Sequence, residues 1–292
     1  MDKNNLITGI REGDIRSVSR AISLIENHAP GYDSILSALE FRDTPVIGIT
    51  GPPGAGKSSL TDALIHQFRA NNKRIAVICV DPSSAFTRGA LLGDRIRMNE
   101  WYNDENVFIR SLSTRGSLGG LNPMIVEITD LFRATPYDAI IIETVGVGQS
   151  EIAIHEIADI TVVVMVPEAG DDVQVMKSGL MEIADLFVVN KADRPGADMF
   201  IKNLKDSMHS FHPAKIIKTI ATQREGIGEL YEAIKEIKGS EQQQSNILLN
   251  KALALIRQER MKGIDEEKLD EQLRNESLKP GFNLYRFVKE NF

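Results

Sequence analysis

Short apolar runs alternate with helical stretches from residue 44 to about residue 237. Most of the runs are almost continuously apolar, which is typical of strands that are covered on both faces. Between the first two runs, Leu60, Ala63, Leu64 and Phe68 recur at helical spacing. This alternation predicts an α/β fold with a mainly parallel central sheet. The predicted strands are residues 46–50, 75–80, 107–110, 139–142, 160–166, 186–189 and 215–220.

The first 42 residues have a helical pattern instead. Apolar residues recur every three or four positions from Ile15 to Ile25, and Asp14 is a suitable N-cap residue for this helix. Pro30 and Gly31 end it, and a second short helix is expected around Leu36. No chemical motif stands out in this segment, so we interpret it as a packing element.

The chain is again polar and helical beyond residue 238, where a Gln-rich stretch suits a linker and two amphipathic patterns follow. Amphipathic helices must bury their apolar faces. They either pack on the parent domain or form a dimer or partner interface, and the pattern leaves both open. The apolar positions are Leu248, Ala252, Leu255 and Ile256, then Leu269, Leu273 and Leu278. The predicted organisation is an N-terminal helical segment (1–42), an α/β domain (43–237) and a C-terminal helical extension (238–292).

Charge and cysteine content narrow the functional classes. The 292 residues include 34 Lys and Arg against 41 Asp and Glu, and a net charge of −7 gives no overall attraction to nucleic acid or to an anionic membrane. The single cysteine, Cys79, excludes an intramolecular disulfide and a multi-cysteine metal site. No apolar run approaches the roughly 20 residues that span a bilayer, and the N-terminus lacks the pattern of a signal peptide. We expect a soluble, cytoplasmic protein without a nucleic-acid or membrane partner.

The strongest chemical signal lies between the first strand and the next helix, where the chain matches G-x-x-x-x-G-K-[ST]. Glycines let the backbone wrap around phosphate with its N–H groups pointing inward, and the helix N-terminus adds positive charge. We expect Lys57 to reach the β- and γ-phosphates and the Ser58 hydroxyl to bind Mg²⁺. The strand–loop–helix context is that of a P-loop NTPase. The predicted phosphate-binding residues are Gly51, Pro52, Pro53, Gly54, Ala55, Gly56, Lys57, Ser58 and Ser59.

A P-loop enzyme also needs an acidic group at the end of a buried strand. Glu143 follows the strand 139–142, and Gly146 can present its N–H to the γ-phosphate. Nucleotide switch families usually have Asp-x-x-Gly here, so Glu143 is a departure, and we expect it to act on Mg²⁺ through water. Asp81 and Asp94 could hold Mg²⁺ or position water, or be solvated or capping residues. The predicted metal-binding residues are Ser58, Asp81, Asp94 and Glu143.

Residues 190–193 match N-K-x-D at the end of an apolar strand. The Asp193 carboxylate can accept hydrogen bonds from guanine N1–H and from its amino group. Adenine offers no such pair, and a site left with unpaired polar groups rejects the wrong base. We expect Asn190 to brace the loop and the Lys191 stem to cover the base; Ala221 is a weaker candidate for an N–H contact to guanine O6. The motifs together predict a GTPase, with Mg²⁺ and GTP or GDP as its ligands.

Four further segments complete a family pattern: AVICVDPSS (76–84), LLGDRIRM (91–98), STRGSLGGL (113–121) and ETVGVGQSE (143–151). With them, roughly residues 10–240 resemble the MeaB/ArgK family of P-loop GTPases, which carries the older label LAO/AO transport system ATPase or kinase. The resemblance implies a chaperone whose GTP binding and hydrolysis gate cofactor delivery to an adenosylcobalamin-dependent acyl-CoA mutase, typically methylmalonyl-CoA mutase, and help to eject damaged cofactor. It also implies a homodimer to which the C-terminal extension contributes.

The resemblance assigns roles to particular residues. It matches Ser58, Asp81, Asp94 and Glu143 to the family's Mg²⁺-binding and switch residues. It matches residues 166–177 to a third switch that reports to the mutase, although the residues alone favour a solvated acidic turn. The polar residues of that turn are Glu168, Asp171, Asp172 and Lys177. The predicted catalytic residues are Lys57, Asp94, Glu143, Gly146 and Lys177.

The mechanism has a gap, because no water-positioning glutamine is obvious. Val147 follows Gly146, and Gln149 lies two residues further along. Arg95 and Arg115 lie in switch-like segments, but the sequence assigns neither as an arginine finger, a group worth about 10³–10⁵ in rate. We therefore expect slow intrinsic hydrolysis that accelerates when the mutase binds.

Three other functions fit the sequence less well. A nickel or cobalt metallochaperone would carry Cys/His clusters, yet His209 and His212 form the only close histidine pair, and Cys79 lies within an apolar strand. A nucleotide-dependent kinase of amino-acid transport binding proteins would need a kinase catalytic loop, which nothing here resembles. Lys57, Ser58 and Glu143 argue against a GTP-dependent scaffold that does not hydrolyse GTP.

Overall fold

The structure is a computed structural model that describes residues 2–81, 98–115, 120–146, 153–167, 179–208, 214–237, 241–261, 263–279 and 281–292. The chain divides into two compact units, Met1–Ile247 and Leu248–Phe292. No helix in the described part of the chain is long and apolar enough to cross a membrane. The predicted segment boundaries after residues 42 and 237 stay predictions.

Seven parallel strands form one sheet in the order β3-β2-β4-β1-β5-β6-β7. This confirms the predicted α/β fold. The last strand ends at Lys218, because Ile220 pairs with Glu225 in a tight turn. The strands are β1 (Val46–Thr50), β2 (Ile75–Asp81), β3 (Val107–Ser113), β4 (Ala139–Glu143), β5 (Ile160–Met165), β6 (Leu186–Val189) and β7 (Lys215–Lys218).

Helices precede, connect and follow these strands. In the first unit they are α1 (Lys3–Glu12), α2 (Ile15–Glu26), α3 (Tyr32–Leu36), α4 (Lys57–Ala70), α5 (Ile125–Arg133), α6 (Leu180–Ile183), α7 (Ala197–Met208) and α8 (Ile227–Glu236). Short 3₁₀ helices span Asn99–Asn103, Ile154–Glu156 and Ala221–Gln223. The C-terminal extension contains α9 (Glu241–Met261), α10 (Glu266–Ser277) and α11 (Leu284–Asn291).

Helices cover both faces of the sheet. Alternate residues of β2 belong to two separate apolar clusters, because side chains of a strand point to opposite faces in turn. On one face α4 and α8 pack with Leu64 and Leu230 fully buried. On the other face α2 and α5 pack with Ile22 and Phe132 fully buried. The N-terminal segment is therefore the packing element that its pattern predicts.

Asp14 caps the N-terminus of α2. Its Oδ2 accepts hydrogen bonds from Ser17 N at 2.8 Å and from Ser17 Oγ at 2.7 Å. These bonds favour the charged carboxylate and lower the pKa of Asp14. Asp2 occupies the equivalent position before α1 but makes no side-chain cap bond.

The two N-cap positions give a matched pair of variants. Asp14→Ala removes a bond to an N–H group that the helix cannot satisfy internally, so we expect it to lower the free energy of unfolding by about 1 kcal/mol. Asp2→Ala should change it by less than about 0.3 kcal/mol, because there is no cap bond to lose. Urea denaturation of both variants measures the difference. Equal losses would contradict a capping role for Asp14.

Candidate nucleotide-binding site

The loop between β1 and α4 lies at the carboxyl edge of the sheet, where parallel α/β sheets bind ligands. Lys57 is the first residue of α4, and Gly56 before it has a left-handed φ of 89°. A Cβ on Gly56 would lie 2.4 Å from Asn190 Nδ2, so only glycine fits between the loop and the end of β6. Gly56 also has no side chain to cap the first N–H groups of α4. Backbone N–H groups at the start of a helix are suited to bind an anion such as phosphate.

Lys57 lies across this loop. Its Nζ donates hydrogen bonds to Gly51 O at 2.9 Å and to Pro52 O at 3.1 Å, and the residue is only 6% exposed. The ammonium group is thus held above the loop backbone, next to the place where the loop would surround a phosphate.

Ser58 and Glu143 meet beneath the loop. The Ser58 hydroxyl donates to Glu143 Oε1 at 2.6 Å, and the carboxylate is 4% exposed. Their meeting follows from the strand order, because β4 lies beside β1 and Glu143 is in register with Ile49. A hydroxyl and a carboxylate are the hard oxygen ligands that Mg²⁺ prefers. The donor set therefore fits the predicted metal ion.

Thr61 completes this arrangement and was not found by sequence analysis. Its Oγ1 donates to Glu143 Oε2 at 2.8 Å, so both carboxylate oxygens are bonded to hydroxyls of α4. Thr61 lies three residues after Ser58, on the same side of the helix, and is fully buried. That spacing was the available signal. A hydrogen bond between two hydroxyls, from Thr144 Oγ1 to Thr50 Oγ1 at 3.0 Å, joins the ends of β4 and β1.

The turn after β4 brings Gly146 against Lys57. Gly146 has a φ of 79°, and a Cβ there would lie 2.2 Å from Lys57 Nζ and 2.8 Å from Gly51 O. Asp81 is the last residue of β2, the other neighbour of β4, and is 4% exposed at the same sheet edge. Several predicted residues lie outside the described residues: Asp94, Arg95, Val147, Gln149, Glu168, Asp171, Asp172, Lys177, His209 and His212.

Asn190 joins the phosphate loop to two other segments. Its Nδ2 donates to Ala55 O at 2.9 Å, and its Oδ1 accepts from Thr219 Oγ1 and from Ala221 N, both at 3.1 Å. The residue is 2% exposed. The end of β6, the P-loop and the segment after β7 are therefore held together by one amide. The N–H of Ala221 is already bonded to Asn190, so a contact to guanine O6 would share or replace that bond.

Lys191 and Asp193 lie at the mouth of this arrangement. Lys191 has a φ of 55° and donates from Nζ to Gly54 O at 2.8 Å, which lays its stem along the P-loop. Asp193 is exposed, so its carboxylate can meet a base that arrives from solvent. The structure thus places Asn190 and Lys191 against the predicted phosphate-binding residues.

Known proteins that are similar to this chain include GTPases, in agreement with the P-loop geometry described above. A family described as "Methylmalonyl Co-A mutase-associated GTPase MeaB" matches residues 18–276. A GTPase-named protein of Pyrococcus horikoshii is 46% identical over 246 residues, which are 80% of this chain and 77% of that protein. The fused isobutyryl-CoA mutase of Geobacillus kaustophilus is 42% identical over 199 residues, 64% of this chain and 18% of that protein. The crystal structure of an LAO/AO transport system kinase is similar with a TM-score of 0.70 at 27% identity, covering 94% of this chain and 87% of that one.

Gly146→Ala tests the contact with Lys57. Since the added Cβ would displace Lys57 Nζ or the turn itself, we expect single-turnover GTP hydrolysis to fall by about 100-fold, the cost of a displacement near 1 Å at a reacting centre. Gly31→Ala is the control, because Gly31 has a φ of 89° but its nearest added contact is at 3.7 Å. Unchanged hydrolysis in Gly146→Ala would show that the turn does not position Lys57.

Proposed function

Because the chain belongs to the MeaB family of methylmalonyl-CoA mutase-associated GTPases, we propose that it hydrolyses GTP to gate the loading and protection of an adenosylcobalamin-dependent acyl-CoA mutase. The GTPase activity follows from the family and from relatives that carry GTPase names. The observation that supports a mutase partner is the fused isobutyryl-CoA mutase, in which a segment similar to 64% of this chain belongs to a mutase polypeptide. Methylmalonyl-CoA mutase is the first candidate, from the family description, and isobutyryl-CoA mutase is the second.

The phosphate end of the site supports a magnesium-dependent reaction. Ser58 can donate its proton to Glu143 and still offer a lone pair to Mg²⁺, which would neutralise phosphate charge when bound. Lys57 would leave the carbonyls of Gly51 and Pro52 and bind the β- and γ-phosphates. Because phosphoryl transfer needs positioning and charge neutralisation more than covalent chemistry, these groups account for slow hydrolysis.

The base end of the site supports guanine as the base. We assign to Asp193 the acceptance of the N1–H and amino hydrogens of guanine, because Asn190 and Lys191 anchor its segment to the P-loop. Ala221 would supply an N–H to guanine O6 after exchanging its bond to Asn190. A carboxylate in this position leaves adenine without a matching donor pair.

Three predicted residues remain to be placed in the mechanism. Asp81, at the end of β2, and Asp94 are candidates to hold Mg²⁺ or the attacking water. Lys177 is the candidate that reports to the mutase, as the family resemblance implies. Ordering of these groups by the mutase would explain why the partner is needed for fast hydrolysis.

The C-terminal unit supports a homodimer. Its helices expose large apolar side chains in the single chain, including Leu248 at 68% and Tyr285 at 87%. Large exposed apolar surface is typical of an interaction site. We propose that these helices form the dimer contact and that the protein acts in the cytoplasm, where the buried thiol of Cys79 stays reduced.

Binding of the mutase should accelerate GTP hydrolysis. We expect the single-turnover rate to rise at least about tenfold when purified methylmalonyl-CoA mutase is added, because ordered switch residues or a supplied arginine can contribute about 10³–10⁵. The measurement is repeated with isobutyryl-CoA mutase to identify the partner. Phosphate release is followed at saturating protein, so that nucleotide binding does not limit the rate.

The Lys57→Ala protein with the same mutase preparation is the control, since any phosphate it releases reports contamination. Equal rates with and without either mutase would contradict the proposed partner class. The assignment of a GTPase would stand, because intrinsic hydrolysis in the absence of a mutase is measured separately.

A further inference from the structure

A carboxylate and a guanidinium group contact the same nitrogen of a histidine that lies outside the motifs described above. His66 Nε2, on α4, lies 2.5 Å from Glu100 Oε1 and 2.6 Å from Arg224 Nη2. Glu100 belongs to the 3₁₀ helix Asn99–Asn103, and Arg224 follows the 3₁₀ helix Ala221–Gln223. The P-loop helix, the segment that follows residues 82–97 and the turn after β7 therefore meet at one atom.

The two contacts cannot both be hydrogen bonds at the same time. An imidazole nitrogen carries either a hydrogen or a lone pair in the ring plane. With a hydrogen, Nε2 donates to the Glu100 carboxylate and repels the Arg224 guanidinium. With a lone pair, Nε2 accepts from Arg224 and repels Glu100. Nε2 of His66 can therefore form a hydrogen bond with only one of the two side chains at a time.

The Arg224 side of this choice leads to the predicted guanine contact. Arg224 has a φ of 58° and lies in a closed turn, in which Arg224 N donates to Ala221 O at 3.1 Å and Ile220 N donates to Glu225 O at 3.1 Å. Arg224 and Ala221 therefore belong to the same hydrogen-bonded turn. The same turn is held from its other side by Asn190 Oδ1.

The Glu100 side is fixed to α4 by its neighbour. Trp101 Nε1 donates to Asp62 Oδ1 at 2.8 Å, and the Trp101 ring packs edge-on against His66 with centroids 4.4 Å apart. Ligand atoms of Asp62, His66 and Glu100 lie within 4.8 Å of one another, an arrangement that could also hold a metal ion. Here the Arg224 guanidinium is the cation that meets the histidine of this group.

We propose that His66 is a positioning residue that holds the guanine-side turn through Arg224, and that Glu100 competes with Arg224 for it. The inference rests on the proposed function, because it takes the turn of Ala221 as part of the guanine site. One consequence is specific. When His66 bonds to Glu100, it no longer accepts a hydrogen bond from Arg224, and the link between α4 and the turn of Ala221 is weaker. Nucleotide release then depends on a competition between two exposed residues.

The competition predicts opposite effects from two surface variants. Arg224→Ala removes the tie, so GDP release should accelerate by about threefold to fivefold, the effect expected of an exposed charged pair. Glu100→Ala commits His66 to Arg224, so GDP release should slow by a similar factor. Stopped-flow release of a fluorescent GDP analogue measures both. Glu105→Ala removes a carboxylate from the same exposed stretch without a contact to His66 and should leave release unchanged.

A double variant separates positioning from a general effect of charge. In the His66→Ala background, Glu100→Ala should no longer slow GDP release, because the imidazole nitrogen for which Glu100 and Arg224 compete is absent. Effects of the same sign in Arg224→Ala and Glu100→Ala, or a Glu100→Ala effect that persists without His66, would overturn the inference. Failure of the wild-type protein to bind the GDP analogue would instead overturn the proposed guanine site.

Discussion

One buried carboxylate holds the nucleotide-binding region together. Glu143 is 4% exposed, and burying an ionised carboxylate costs several kcal/mol unless hydrogen bonds compensate. Ser58 and Thr61, both on α4, supply those bonds to its two oxygens. The start of α4 is therefore fixed against the end of β4, and the phosphate loop between β1 and α4 is fixed with it. The strand order, in which β4 lies directly beside β1, is the condition for this arrangement.

A buried amide, that of Asn190, joins neighbouring segments in the same way at the predicted base-binding end. Asn190 connects the P-loop carbonyl of Ala55 to the backbone of Ala221, so one side chain joins the predicted phosphate-binding and base-binding segments. The turn after β7 and the P-loop are therefore hydrogen-bonded to the same side chain. The turn that Asn190 holds through Ala221 also contains Arg224, whose side chain contacts His66.

The sequence predicts the strands well because a strand depends on local pattern. The seven strands appear where the apolar runs lie. The central strands are almost continuously apolar because they are buried on both faces, whereas the edge strand β7 has an exposed lysine at each end. Thr61 was missed because its spacing from Ser58 acquires a meaning only when β4 is known to lie beside β1 and to bring Glu143 to both hydroxyls. His66 and Arg224 are 158 residues apart in the chain, so no local pattern can pair them. The bond between Ala221 N and Asn190 likewise depends on the tertiary structure.

The most direct test asks whether the Glu143 carboxylate organises the predicted magnesium site. The affinity of the protein for a non-hydrolysable GTP analogue is measured with and without Mg²⁺, in the wild type and in Glu143→Gln. The substitution keeps the size of the side chain and removes its charge, so we expect the tightening by Mg²⁺ to shrink by about tenfold or more, as for a lost charge-assisted bond. Asp185→Asn is the control, because Asp185 is a carboxylate at the opposite edge of the sheet, where burial raises its pKa and Thr161 N donates to it. An unchanged dependence on Mg²⁺ in Glu143→Gln would contradict the account.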